Sequence, residues 1–187
     1  MLFRSDARLA VSRNDLAGAT EKIDRAIAAQ PKSAEALMTK SQLLRLKGDA
    51  AGALAVLDAL LTDQPSVIQA HLDRADLALA MAKPEIARKD VDTVLASSRG
   101  NVQALYLDAV IKAQGRDYKA ADDQLTRIAP YVPRIPRAYF LLAVVKEQLG
   151  QHEAAEDAVR KYLAKTPNDI AAHKVLARIL MIKRRPD

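Results

Sequence analysis

The chain has 187 residues, 50% of them apolar and 28% charged, rich in Ala and Leu, with 4% aromatics and no Trp; this balance suits a soluble, helical chain with one continuous core. Cysteine is absent, which excludes a disulfide framework, a redox thiol and a Cys-bound zinc. The formal net charge of +6 is concentrated from His173 onward, where Lys174, Arg178, Lys183, Arg184 and Arg185 stand against Asp187; residues 1–172 carry only +2, too near neutrality for a nucleic-acid binder.

No run of eighteen apolar residues is present, so no membrane span is expected, and the opening Met-Leu-Phe-Arg-Ser-Asp lacks the apolar core of a signal peptide. With no targeting segment read, the cytoplasm is the default compartment.

Taken in chain order, the residues follow a period of 34. The first period, residues 1–33, sets Ala7 and Leu9 on one apolar stretch, breaks at Arg13-Asn14-Asp15, and resumes with Ala19 and Ile23 before Pro31. The second, 34–67, has Ser41 and Leu43, the break Lys47-Gly48-Asp49, then Ala53, Leu57 and Pro65. In the third, 68–101, Ala75 and Leu77 precede Ala82-Lys83-Pro84, Ala87 and Val91, and Arg99-Gly100-Asn101 stands where the other periods have proline. The fourth, 102–135, runs Ala109, Ile111, Gly115-Arg116-Asp117, Ala121, Leu125 and Pro133. The fifth, 136–169, runs Ala143, Val145, Leu149-Gly150-Gln151, Ala155, Val159 and Pro167, and a half period from 170 carries Ala177 and Ile179.

Each full period therefore predicts two helices of about a dozen residues, with apolar side chains at helical spacing on both sides of the break. Asp15, Asp49 and Asp117 are placed to cap the second helix, Pro84 suits a first-turn position that needs no amide donor, and the proline near the end of the period stops the second helix. The two small-residue series have a steric reason. Antiparallel helices approach to about 8 Å only where the side chains at the crossing are small, so a pair such as Ala109 and Ala121 is expected to face across it. A single pair leaves apolar faces bare, and stacking on the next pair buries them.

These residues resemble the tetratricopeptide-repeat family, whose 34-residue helix-turn-helix unit has small residues at its eighth and twentieth positions and proline near its end. The resemblance covers almost the whole chain as one domain: repeats 1–33, 34–67, 68–101, 102–135 and 136–169, with a half repeat or cap at 170–187. It implies an all-α superhelical solenoid of antiparallel helix pairs that binds proteins and does not catalyse. The fourth position, usually aromatic in the family, reads Phe3, Leu37, His71, Leu105, Tyr139 and His173. The strings Ala104-Leu105-Tyr106-Leu107, Asp117-Tyr118-Lys119-Ala120-Ala121, Tyr131-Val132-Pro133 and Lys161-Tyr162-Leu163-Ala164 also resemble the repeat region of PrsT-type bacterial proteins of exosortase and exopolysaccharide systems. That resemblance implies a role in cell-envelope assembly and a periplasmic or envelope location.

Two segments are candidates for a bend. Pro130, Pro133 and Pro136 fall where a second helix should finish, which predicts an end or kink near Ile128, as a stiff irregular turn or as a hinge. Ser97-Ser98-Arg99-Gly100-Asn101 is the other, with Gly100 able to close a helix.

Chemistry is sparse. His71, His152 and His173 lie in three different repeats with no metal-ligand spacing, and each is expected to pack in place of a larger residue. Asp122-Asp123 and Glu156-Asp157 are adjacent in sequence and so diverge on a helix, which reads as a solvated face. No phosphate loop, Gly-x-Ser-x-Gly turn or Cys-His arrangement is present, so neither a catalytic site nor a cofactor is expected.

The resemblance places the concave groove at positions two, five, nine, twelve and thirteen of each first helix. Position five reads Arg4, Met38, Leu72, Tyr106, Phe140 and Lys174; position nine reads Arg8, Gln42, Asp76, Val110, Val144 and Arg178. The expected partner surface is therefore an exposed apolar strip through Met38, Leu72, Tyr106, Val110, Phe140 and Val144, with Asp76 beside it and basic ends at Arg4, Arg8, Lys174 and Arg178. A peptide or helix is the expected guest, and packing between neighbouring first helices is the bland alternative for the same side chains. A salt-sensitive binder of anionic partners through the basic ends is the rival. The apolar residues of the half repeat, Val175, Leu176, Ile179, Leu180 and Ile182, suggest a piece of a longer array or a homodimer through this end.

Overall fold

The computed structural model describes residues 16–184, and every regular element among them is helical. They fall into two compact units, 16–97 and 98–184, which meet in sequence at the Ser97–Asn101 segment marked above as a break. The first unit contains α1 (Leu16–Ala29), α2 (Ala34–Leu46), α3 (Ala50–Asp63), α4 (Ile68–Ala80) and α5 (Pro84–Ser97). The second contains α6 (Val102–Gln114), α7 (Tyr118–Arg127), a short 3-10 helix (Ala129–Arg134), α8 (Pro136–Gln148), α9 (His152–Leu163) and α10 (Ile170–Lys183). The first helix expected before α1, with Ala7, Leu9 and the cap Asp15, lies outside the described residues.

In the first unit α2 packs on α3 and α4 on α5 as pairs, while α1 against α2 and α3 against α4 join successive pairs. In the second, α6 with α7 and α8 with α9 are the pairs, and α7 against α8 and α9 against α10 join them. The small-residue series sits where the steric argument requires. Ala19, Ala53, Ala75 and Ala87 in the first unit, and Ala109, Ala121, Ala143 and Ala155 in the second, are all fully buried. Ser41 shows the crossing directly: its hydroxyl donates to the Ala53 carbonyl at 2.9 Å, linking position eight of α2 to position twenty of α3. Branched residues fill the layers around these crossings, as with Leu57, Leu60 and Leu77 around Ala53, and Val159, Val175 and Ile179 around Ala155.

Helix ends follow the local chemistry. Asp49 accepts from Gly52 N–H at 2.8 Å and Asp117 from Ala120 N–H at 3.1 Å, and Pro84 opens α5. First helices are capped as well, by Ser33 on Ala36, Asn101 on Ala104 and Asp169 on Ala172, at 3.3, 2.9 and 3.0 Å. Between the helices of each pair one residue takes positive φ: Gly48 at 84°, Ala82 at 56°, Arg116 at 64° and Gly150 at 72°. The proline-rich segment ends α7 at Arg127, as the sequence predicts, and the chain continues as a 3-10 turn pinned by buried Ile128 and Val132. Proline's missing N–H makes an α-helical continuation through Pro130 and Pro133 unfavourable.

Candidate functional site

The first helices carry the candidate surface, and in the first unit that surface is polar. Arg45 on α2 donates to Asp76 on α4 at 2.9 Å, so the Asp76 read as a groove residue is held in an ion pair. Gln42 lies 3.5 Å from Asp73, whose other carboxylate oxygen accepts from Gln69 at 2.8 Å. Burial raises the Asp73 pKa above the usual carboxylate value, against the opposing pull of its Gln69 and Gln42 hydrogen bonds. Met38 is half-buried against the α3 and α4 core. Leu72 corrects the expectation of an exposed strip: it is only 3% exposed and has no free face.

On α6 and α8 of the second unit the same positions are apolar, while on α10 they are Lys174 and Arg178. Tyr106 and Val110 on α6, and Phe140 and Val144 on α8, are half-buried rather than exposed, a second correction to the open strip. The cause is lateral packing. Phe140 and Val144 rest against the cluster built on Ala143, Ala155 and Val159, and the Phe140 ring stands 5.2 Å from that of Tyr162 at a tilt of 40°. The hydroxyl of Tyr162 donates to Asp169 at 2.7 Å, which raises the phenol's pKa and lowers that of the carboxyl. Tyr162 is thus held by Phe140 on one side and by Asp169 on the other, and Phe140 is left partly exposed.

The basic ends change meaning. Arg178 forks onto the buried Glu147 carboxylate through Nε and Nη2, the latter at 2.6 Å, and this partner raises the Arg178 pKa. Its charge is compensated inside the protein, so Arg178 does not serve as a free anion site. Lys174 is exposed and without an ion-pair partner among the described residues. Arg4 and Arg8 lie outside the described residues. The two ladder pairs follow one rule. Arg45 and Glu147 occupy position twelve of their repeats, Asp76 and Arg178 position nine of the next, so each couple is 31 residues apart with its charges exchanged.

Two of the three histidines bond to backbone, whereas His152 packs with its Nδ1 buried and without a hydrogen-bond partner. His71 Nε2–H donates to the Pro65 carbonyl at 2.9 Å and His173 Nε2–H to that of Pro167 at 2.7 Å, six residues back in both cases. Where position four is histidine it therefore ties a first helix to the proline turn before it, a bond that simple packing did not foresee. His71 Nδ1 also lies 2.6 Å from Asp90 Oδ1, and Asp90, 1% exposed, accepts from Arg74 Nε at 2.8 Å and Nη2 at 2.7 Å. Among the described residues no group of three or more His, Asp or Glu side chains is placed to hold a metal ion, and no helix is long and apolar enough to cross a membrane.

Comparison with known families matches tetratricopeptide-repeat models to residues 6–68, 72–133 and 136–179. Among solved structures, the chain is similar to one in the Cut9–Hcn1 hetero-tetramer of the APC/C, with a TM-score of 0.88 at 14% identity; the match covers 98% of this chain and 37% of that one. It is similar to a thermophilic repeat protein of Thermus thermophilus, with a TM-score of 0.74 at 17% identity over 96% and 99% of the two chains. A third is YrrB, described as having an unusual peptide-binding site, with a TM-score of 0.62 at 16% identity over 92% and 89%. Likeness at these identities carries the fold. No curated protein sequence matches the chain, so the PrsT-type resemblance gains no support here.

Proposed function

Because this chain belongs to the tetratricopeptide-repeat family, whose repeats generally act as non-catalytic protein-protein interaction scaffolds, we propose that it holds an extended peptide or a helix against the first helices of its second unit. The observation that carries this reading is the apolar run at positions five and nine of α6 and α8, Tyr106, Val110, Phe140 and Val144, each left half-buried by its neighbours. Half-buried aromatic and branched side chains on a rigid helix lose little entropy on binding and already stand in a partly dry setting, which makes them suitable anchors. The described part of the first unit spends the equivalent positions on Gln42, on the Arg45–Asp76 pair and on buried Leu72, and so offers a guest much less apolar area. A peptide-binding site in a protein of similar fold is consistent with this use of the scaffold.

The rival reading, an anionic partner drawn to basic ends, is weakened by the Glu147 carboxylate that compensates Arg178. Selection of binders from a displayed peptide library, followed by calorimetric titration of the best one, tests the proposal. Tyr106→Ala with Val110→Ala should weaken binding about tenfold or more while circular dichroism stays unchanged. Equal affinity for the two proteins would rule out this face as the site, and a steep loss of affinity between 50 and 200 mM salt would favour the rival.

A further inference from the structure

We propose that the cleft between α7, the 3-10 turn, α8 and α9 binds a small carboxylic acid with a short apolar body. Leu125, Val132 and Leu142 give this open cleft of about 240 Å³ its apolar lining, and Thr126, Tyr139 and Lys161 supply its polar groups. Its walls are consecutive elements of the second unit, with α6 before them and α10 after. The site is separate from the surface around Tyr106 and Phe140, because Tyr139 and Leu142 stand on the side of α8 away from Phe140 and Val144.

Three departures from the register of the repeats meet there. Second helices α3 and α5 run 14 residues each, but α7 has 10, and the chain passes through Pro130 as the 3-10 turn. In the first unit, position seven of a first helix pairs with position twenty-five of the helix before it, Lys40 with Asp24 at 2.9 Å and Arg74 with Asp58 at 2.8 Å. The same rung is Leu142 and Thr126 here, so no ion pair spans the gap. At position four, His71 and His173 bond the carbonyl of the preceding proline turn; Tyr139 makes no hydrogen bond among the described residues, and it lines the cleft together with Pro133.

The donors select the head of the ligand. Thr20, Thr39, Thr62, Thr93 and Thr166 each donate to the carbonyl four residues back, whereas the Thr126 hydroxyl has no hydrogen-bond partner among the described residues. Lys161 pairs with Asp157 at 2.6 Å, but both side chains are more than half exposed, and so solvated a pair holds the ammonium weakly. Arg127 and Arg134, next in sequence to Thr126 and Pro133, have no carboxylate partner among the described residues, and residues 127–137 contain no acid. Two uncommitted hydroxyls and an ammonium beside an apolar floor, in a stretch of positive charge, fit a carboxylate on a hydrocarbon. A cleft of about 240 Å³ is smaller than those that enclose drug-sized molecules, which keeps that hydrocarbon short.

Octanoate is a suitable probe, titrated into the nitrogen-15-labelled full chain and followed by heteronuclear NMR, with octanol as its uncharged counterpart. Octanoate should give saturable shifts from Leu125 to Val132, from Tyr139 to Leu142 and at Lys161, and octanol should bind about tenfold more weakly. Tyr139→Phe should weaken octanoate severalfold with the fold unchanged. Thr126→Asp with Leu142→Arg, which rebuilds the Asp58–Arg74 rung in this place, should abolish binding while circular dichroism stays helical. Absence of shifts at these residues, equal affinity for octanol, or undiminished affinity in the double variant overturns the proposal. Should the double variant unfold, Tyr139→Phe and the octanol comparison decide in its place.

Discussion

The two units use one register for opposite surfaces. At position seven and position twenty-three the first unit sets Arg74 against Asp90, while the second sets Asp108 against Gln124, with the Gln124 amide donating to Asp108 at 2.7 Å. At positions five and nine, the described first unit has Met38, Leu72, Gln42 and Asp76, where α6 and α8 of the second have Tyr106, Phe140, Val110 and Val144. The crossings, by contrast, are identical: Ala87 and Ala121 are both fully buried. The difference teaches that the scaffold is carried by few positions with strict steric demands, which leaves the remaining first-helix positions free to be polar on some helices and apolar on others.

The comparison can be broken most sharply at the buried polar pairs. Asp90→Ala leaves His71 without its carboxylate and Arg74 with only the more exposed Asp58 at 2.8 Å, and should cost about 3 kcal/mol, because the buried anion shared by two side chains is lost. Gln124→Ala, at the same position of the second unit, should cost only about 1 kcal/mol, since Lys112 still pairs with Asp108. Urea unfolding followed by circular dichroism measures both, and equal losses would refute the distinction drawn between the units.

Next in size are the crossings, where the account expects the units to agree. Ala87→Leu and Ala121→Leu should each cost on the order of 1–3 kcal/mol, by forcing apart helices that have no slack. Calorimetry that found one of them neutral would show a crossing with room to spare. The left-handed turn residues give a smaller effect with opposite signs. Ala82→Gly in one unit and Arg116→Gly in the other should each stabilise by up to about 1 kcal/mol, because an L side chain at positive φ is strained. Gly48→Ala and Gly150→Ala should each lose a similar amount.

The smallest expected effect is electrostatic and belongs to the first unit. Burial makes the folded protein hold the Asp73 proton more tightly than the unfolded chain does, so this group contributes less stability as pH rises from the ordinary carboxylate value through its raised folded pKa. Asp73→Asn should remove that decline and raise the melting temperature slightly at pH 7, within about 0.5 kcal/mol, with no gain at pH 3. A variant less stable at pH 7 would mean that the Gln69 and Gln42 hydrogen bonds outweigh desolvation.

Much of this fold was legible because the period turns one steric rule into a repeated signal. Ala53, Ala87, Ala121 and Ala155 stand at a fixed spacing, and the caps Asp49 and Asp117 and the opening Pro84 follow from local backbone chemistry. The same spacing could have located the strained turn in the fourth repeat. Gly115 draws attention as the flexible residue, yet Arg116 takes positive φ because it, and not Gly115, is in register with Gly48 and Gly150. The 31-residue ladder was also present as arithmetic, position twelve pairing with position nine of the next repeat, but nothing in one repeat alone announces it.

The candidate surface was less legible. How far Leu72 or Phe140 is covered depends on side chains from neighbouring helices, such as Tyr162 on α9, and not on the residue's own position. The role of His71 and His173 escaped for a similar reason: the proline that ends each turn leaves a carbonyl whose partner comes from the following helix.

Hydrogen–deuterium exchange with a library-selected peptide bound tests the central claim most directly. Protection should concentrate on the first helices of the second unit, α6 and α8, around Tyr106 to Val110 and Phe140 to Val144, with the second helices α7 and α9 little changed. Protection confined to α7 and α9, or to the first unit, would contradict the assignment of binding to the apolar first-helix face.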